Sequence, residues 1–344
     1  MAMRYKLLGR SGLRVTELAL GTMTFGDEWG WGAPREECRR IFDAYAEAGG
    51  NFIDTANRYT EGSAERMIGE FVAADRDHFV VATKYTLFDR TGDPNFSGNQ
   101  RKNMVRSLEA SLKRLNTDFV DLFWLHAWDS TTPVEEVMRG LDDLVRAGKV
   151  LYVGISDSPA WIAAQANTLA DLRGWSRFVA LQFDYSLLDR TAERDLMPMA
   201  RAFDMAMTPW GLLNAGALSG KYNVNPAEQG RAARWGDVTE RSLRVAQAAA
   251  EVAEEIGSTP AQVAINFARQ QPGIVIPILG ARTVAQVQDT LGCLDHPLSG
   301  EQIRQLSELS PISLGFPHDF LASENVHNLT TGSTWAQIDN HHAT

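Results

Sequence analysis

Short apolar runs alternate with helix-like stretches along most of the chain, and that alternation leaves few folds open. The runs are residues 17–21, 51–56, 79–84, 119–127, 151–157, 178–186, 206–211 and 274–281. Their apolar residues lie side by side instead of alternating with polar ones, as in parallel strands covered on both faces. Residues 35–48 place Ile41, Ala44, Tyr45 and Ala48 on one helical stripe and stop at Gly49-Gly50. Residues 101–115 space Met104, Leu108, Leu112 and Leu115 at helical intervals. Residues 133–147 open with proline and end before Gly148, and 241–256 form a further amphipathic stretch. Strands alternating with helices build either a doubly wound sheet or a closed barrel. The first strand of a dinucleotide-binding doubly wound sheet is followed by Gly-x-Gly-x-x-Gly, which is absent here, so the expected fold is an α/β (β/α)8 TIM barrel.

Three stretches fall outside the repeat. Residues 3–16 read as an N-terminal β-hairpin turning at Gly9-Arg10-Ser11-Gly12. Residues 222–239 are polar and Ala/Gly-rich and interrupt the unit after the seventh run. The C-terminal loop and tail, 311–344, contain the breakers Gly315, Pro317 and Gly332; 311–322 read as an apolar loop and the last few residues as disordered.

An α/β barrel with insertions uses 344 residues as one domain, so 1–344 are expected to fold as a single unit. The formal net charge of −10 argues against non-specific binding to nucleic acid or to an anionic membrane. It leaves room for an anionic ligand opposed by a few local cations. Cys38 and Cys293 imply no disulfide framework, and no metal-ligand cluster is visible. The sequence MAMRYKLLGRSG lacks the apolar run of a signal peptide, and no stretch reaches a membrane span, so a cytoplasmic location is expected. The glycosylation patterns at Asn95 and Asn328 are read as chance on that ground.

Polar residues fall where the apolar runs end. Asp54 closes the second run and Tyr59 follows five residues later; Lys84 closes the third and His126 the fourth. In a barrel these ends are neighbours on the C-terminal rim, where catalytic side chains collect from several strands. Singly, each has an ordinary reading: a capping aspartate, a solvated lysine, a packed tyrosine, a structural histidine. Jointly they form a coherent acid–base group. A tyrosine O–H, with a reference pKa of about 10, gives its proton more easily beside an ammonium. Lys84 would lower that pKa, Asp54 would keep Lys84 charged and placed, and His126 would hydrogen-bond the substrate oxygen. Carbonyl reduction needs such a proton at oxygen as hydride reaches carbon.

Several segments, in order, resemble the aldo-keto reductases. They are Leu20-Gly21-Thr22-Met23-Thr24-Phe25-Gly26, Asn51-Phe52-Ile53-Asp54-Thr55-Ala56 through Tyr59, Ala82-Thr83-Lys84, Asp121-Leu122 to Leu125-His126, Gly148-Lys149, Gly154-Ile155-Ser156, Gly220-Lys221-Tyr222 and Pro277-Ile278-Leu279-Gly280. The resemblance runs from the hairpin to about residue 322 and looks nearest to the bacterial and channel β-subunit-like branch. It implies NADPH-dependent, reversible reduction of a small-molecule aldehyde or ketone, with Asp54, Tyr59, Lys84 and His126 as the catalytic tetrad. It also implies cofactor contacts. Gly21, Thr22, Met23 and Asp54 border the cofactor; Ser156, Asp157 and Gln182 match the carboxamide positions, and Trp210 the ring that stacks on the nicotinamide. Gly211, Leu212 and Lys221 match the pyrophosphate loop; Gly280, Arg282, Thr283, Gln286 and Asp289 match the adenosine end. Arg282 is assigned to the 2′-phosphate, because a guanidinium fork suits phosphate, which points to NADPH. Asp157 stands where many relatives have asparagine, as does Thr290.

Trp29 and Trp31 in the first loop, Tyr85 and Phe88 after Lys84, and Trp128 after His126 are candidate substrate contacts, together with Tyr59 and His126. The alternative reading is an NADPH-binding sensor subunit with little turnover. Residues 216–221 resemble a P-loop but are one residue short, residues 154–158 lack the final glycine of a nucleophile elbow, and His341-His342 read as a solvated end. Neither the substrate's identity nor the oligomeric state is legible.

Overall fold

The computed structural model describes residues 3–225 and 227–339. Two strands, β1 (Tyr5–Leu7) and β2 (Arg14–Thr16), pair antiparallel as the expected hairpin. The barrel follows: β3 (Ala19–Gly21), β4 (Phe52–Asp54), β5 (Val80–Tyr85), β6 (Val120–Leu125), β7 (Val150–Ser156), β8 (Phe178–Asp184), β9 (Ala206–Trp210) and β10 (Ile278–Gly280). From β3 to β9 each strand pairs in parallel with the next, and β10 pairs in parallel with β3. The ring closes where Met207 N donates to Ile274 O at 2.7 Å and Ile276 N donates to Met207 O at 2.8 Å. This is the (β/α)8 TIM barrel with an N-terminal hairpin that the alternation implies.

The period-2 geometry of each strand divides its residues between two cores. Inward, Ala19, Phe52, Val80, Ala82, Leu122, Trp124, Ala180, Ala206 and Ile278 fill the barrel, and Leu8 and Val15 of the hairpin plug its lower end. Outward, Leu20, Ile53, Val81, Phe123, Val153, Leu181 and Met207 pack under the helices. Gly154 makes the inner packing possible: a Cβ there would lie 2.3 Å from the Trp124 ring.

The helices at Arg35–Glu47, Arg101–Leu115, Val134–Arg146 and Glu240–Ile256 lie where periodicity puts them. The insertion after β9 holds two short helices, Lys221–Val224 and Arg231–Trp235. The tail departs from expectation. Residues 311–322 are not wholly loop, because His318–Leu321 are helical, and Glu324–Thr331 form another helix capped by Ser323 and ended by left-handed Gly332. The supposed breaker is thus a helix stop. Phe316, Phe320 and Leu321 are exposed. His341 and His342 lie outside the described residues. Among the described residues no helix is long and apolar enough to cross a membrane.

Candidate active site

Strand parity decides what reaches the mouth. Asp54 shares the inward register of Phe52, Lys84 that of Val80 and Ala82, Ser156 that of Gly154, and Gln182 that of Ala180. Tyr59 sits on the loop after β4, on a 3-10 turn in which Thr60, Glu61 and Gly62 are all left-handed, with φ of 45°, 55° and 83°. Each non-glycine residue so held costs about 1–2 kcal/mol. The turn is fastened by Thr60 Oγ1 donating to Phe25 O at 2.5 Å and accepting from Ala64 N at 3.2 Å. Glu61 ties it outward, accepting from Arg58 and from Trp29 Nε1.

The four tetrad positions converge. The Lys84 ammonium is fully buried, paired with the Asp54 carboxylate, and donates to Thr55 O at 3.0 Å and to the Tyr59 hydroxyl at 3.1 Å. Gln182 Nε2 donates to the other Asp54 oxygen at 3.1 Å. The His126 ring stands edge-on to Tyr59, with centroids 5.9 Å apart. Burial alone would pull Lys84 down; the Asp54 charge and the Tyr59 hydroxyl outweigh it and hold its pKa above the ordinary value. Burial also raises the Tyr59 phenol, overcoming the opposing pull of Lys84. The expectation that Lys84 lowers this pKa below its ordinary value is therefore corrected, because desolvation of a phenolate wins over one ammonium. Burial, reinforced by the Lys84 charge, drives His126 far below its ordinary value, so the imidazole is neutral, and its Nδ1 is buried without a hydrogen-bond partner. The site thus joins a protonated phenol, a fixed ammonium and a neutral imidazole. Together they can give a proton to an oxygen and stabilise the phenolate left behind.

The expected cofactor positions follow the C-terminal ends of β3, β7, β8, β9 and β10 and the segments after them, which together outline the expected cofactor groove. Trp210 ends β9 partly exposed and donates its indole N–H to Asp157 Oδ1 at 3.2 Å. Ser156 is buried beside it. Met23 is partly exposed, whereas Thr22 is buried and binds the Asp54 carbonyl, locking β3 to β4 beside Gly21. Gly211 is left-handed and lies against Asp184, Leu212 is buried, and Lys221 opens the short insertion helix. Gly280 and Arg282 are exposed at the far end. Thr283 caps the helix Val284–Leu291, and Gln286 accepts from Arg282 N. Asp289 is already engaged by Thr259 and Gln262, and Thr290 turns inward onto Gln286 O.

Among the candidate substrate contacts, Trp29 and Trp31 pair at the rim with centroids 5.6 Å apart. Phe88 and Trp128 line a cavity of about 390 Å³ with Thr86, Ala127 and Asp129, and none of the tetrad lines it. Tyr85 does not belong with them. It is fully buried, stacks on Phe123 at 5.1 Å and points under the helices. As the neighbour of inward Lys84 it has outward parity, a signal the sequence contains.

Arg231, which the sequence reading does not include, joins the groove. Its guanidinium lies against the rings of Trp31 and Trp235 at 5.6 and 5.1 Å. Burial and the neighbouring Arg282 charge lower its pKa. Its Nε is buried without a hydrogen-bond partner, and neither arginine makes an ion pair among the described residues. Two neighbouring guanidiniums with no ion pair of their own, near Asp237 and with Lys221 nearby, would suit a phosphate-bearing dinucleotide. The sequence signal for Arg231 is weak, since Arg234 in the same insertion is equally eligible.

A (β/α)8 barrel with an acid–base group at its C-terminal mouth and the neighbouring cations Arg231 and Arg282 fits one class, a barrel oxidoreductase. The sequence matches the aldo/keto reductase family over residues 17–311. It is 36% identical to a norsolorinic acid reductase of Aspergillus flavus, covering 96% of this chain and 87% of that protein. It is 38% identical to an aryl-alcohol dehydrogenase [NADP(+)] of Phanerodontia chrysosporium, covering 92% and 88%. It is also 36% identical to the aldo-keto reductase ausK of Emericella nidulans, covering 92% and 84%. The chain belongs to the aldo/keto reductase family of oxidoreductases.

Proposed function

We propose that this chain is an NADPH-dependent reductase of aryl aldehydes or ketones, reversible to oxidation of the matching alcohols. The observation that carries the reading is the hydrogen-bonded series Asp54–Lys84–Tyr59 at the mouth, beside a neutral His126. Bound nicotinamide cofactor supplies or accepts the hydride. The residues do the rest. Tyr59 gives its hydroxyl proton to the carbonyl oxygen, and Lys84 stabilises the resulting phenolate across 3.1 Å. Asp54, steadied by Gln182, keeps Lys84 charged and in place. His126, being neutral, hydrogen-bonds the substrate oxygen without competing as an acid. Lys221, Arg231 and Arg282 hold the phosphates, with Arg282 on the 2′-phosphate.

The aryl preference is supported by the mouth's lining. Phe88 and Trp128, on the loops that follow Lys84 and His126, wall a neighbouring cavity, and Trp29 and Trp31 stand at the rim, so a flat apolar ring would find flat partners. The names of the relatives, an aryl-alcohol dehydrogenase and a norsolorinic acid reductase, agree with such substrates. The test is absorbance-monitored NADPH oxidation against substituted benzaldehydes, polycyclic aryl ketones, quinones and aliphatic aldehydes, with NADH in parallel. Turnover favouring aryl carbonyls and NADPH supports the reading. Tight NADPH binding with no turnover on any of them overturns it in favour of a sensor.

A further inference from the structure

The charges around the catalytic group do not cancel. Lys84 and Asp54 form a buried pair, and Tyr59 and His126 are neutral at ordinary pH. Asp157 adds a carboxylate at the end of β7, in electrostatic reach of Tyr59, Lys84 and Asp54. Trp210 supplies a neutral N–H, which satisfies a lone pair and leaves the charge in place. Burial raises the Asp157 pKa, while the Trp210 N–H and the Lys84 field favour the anion. A second carboxylate, Asp184, follows one strand over, and its pKa is pushed up to about 6 by burial and by neighbouring carboxylates including Asp157. This end of the groove therefore carries the carboxylates of Asp157 and Asp184 in excess of the Lys84–Asp54 pair, whereas the other end carries Lys221, Arg231 and Arg282.

Asp157 is also held in an unusual way. Its φ is 39°, in the left-handed region. Its backbone is engaged, N–H to Gln182 O at 3.2 Å and carbonyl from Trp128 N at 3.4 Å, so the carboxylate's position is fixed by two strand ends. Asparagine adopts this conformation at least as readily and would donate to the same neighbourhood. The carboxylate is thus not required by the backbone; what it adds is charge.

We propose that Asp157 makes the nicotinamide end of the groove selective for the oxidised, positively charged ring of NADP+ over the neutral ring of NADPH. The inference rests on the cofactor reading above. The two cofactor forms differ at this end by one positive charge, because the transferred hydride brings two electrons and one proton into the ring. A fixed carboxylate near that ring favours the cation, at a distance where partial burial leaves Coulomb forces poorly screened. The effect acts twice, because an indole whose N–H is held by an anion presents a more electron-rich face to a cation. Phosphates at the far end are common to both forms, so Lys221, Arg231 and Arg282 do not discriminate between them.

The experiment is titration of tryptophan fluorescence with NADP+ and with NADPH, separately, on the wild type, D157N and D157E. In D157N the Kd for NADP+ is expected to rise on the order of tenfold while that for NADPH stays level or falls. D157E, which keeps the charge, is expected to keep the wild-type ratio. An unchanged ratio in D157N, or equal weakening of both forms, overturns this proposal alone and leaves the reductase reading intact. Failure of the wild type to bind either form overturns the cofactor reading and this proposal with it.

Discussion

At the scale of single residues, the site works by keeping three groups in different protonation states within a few ångströms. Lys84 stays charged because Asp54 shares its burial; Tyr59 stays protonated because burial disfavours its phenolate; His126 stays neutral because burial and then the Lys84 charge disfavour its cation. Tyr59→Phe removes the one transferable proton and little else. It should lower kcat for carbonyl reduction by about 10²–10⁴-fold while leaving the NADPH Kd within twofold of wild type; a variant with most of its activity would remove Tyr59 from the mechanism. The pH profile follows from the same shifts. Reduction needs Tyr59 protonated, and its pKa lies above the ordinary 10.0, so activity should fall only as pH rises past that value. His126 titrates far below its ordinary 6.5, so kcat/KM should be level between those two values. A step near 6.5, absent in a His126→Gln variant, would mean that the imidazole titrates where burial forbids it.

At the scale of elements, the barrel strands are legible as unbroken apolar runs, and four of the long helices by the helical period of their residues. The tetrad is legible for the same reason: polar residues interrupt apolar runs at their ends. Tyr85 shows the limit of reading runs without parity, for its step of one from Lys84 sends it under the helices. Glu324–Thr331 is illegible because its one buried apolar residue is Val326, so no stripe exists to find. The turn after Tyr59 is illegible too, since nothing in Thr60-Glu61 announces a left-handed backbone. Yet that turn aims the phenol, and Glu61 couples it to Arg58 and Trp29. Glu61→Gly separates conformation from tethering. Glycine accepts a φ of 55° without steric cost, so Tm should hold or rise by a degree or two. Loss of both tethers should nevertheless lower kcat, read by steady-state kinetics. If kcat is unchanged, the left-handed backbone alone positions Tyr59.

At the scale of the whole molecule, an acidic chain concentrates cations in one place. The net charge is −10, yet Arg231 and Arg282 repel each other near Lys221, where the proposed cofactor would carry its phosphates. On the proposed cofactor reading, bound phosphate would offset that repulsion. The acidic surroundings weaken the attraction at a distance, so binding should depend on contacts inside the groove more than on long-range steering. Arg231 is partly buried between Trp31 and Trp235, where salt screens poorly, whereas Arg282 is exposed. The two should therefore respond differently. Arg282→Ala should raise the NADPH Kd on the order of tenfold or more and the NADH Kd far less, and the remaining NADPH affinity should lose most of its salt dependence. Arg231→Ala should weaken NADPH and NADH alike while leaving the salt dependence of NADPH binding near that of the wild type. Fluorescence titrations of both cofactors, run as the Debye length is shortened from about 10 Å to about 3 Å, distinguish the two roles. Equal losses for NADPH and NADH in Arg282→Ala would take the 2′-phosphate away from Arg282, and a collapse of the salt slope in Arg231→Ala would place it with Arg231 instead.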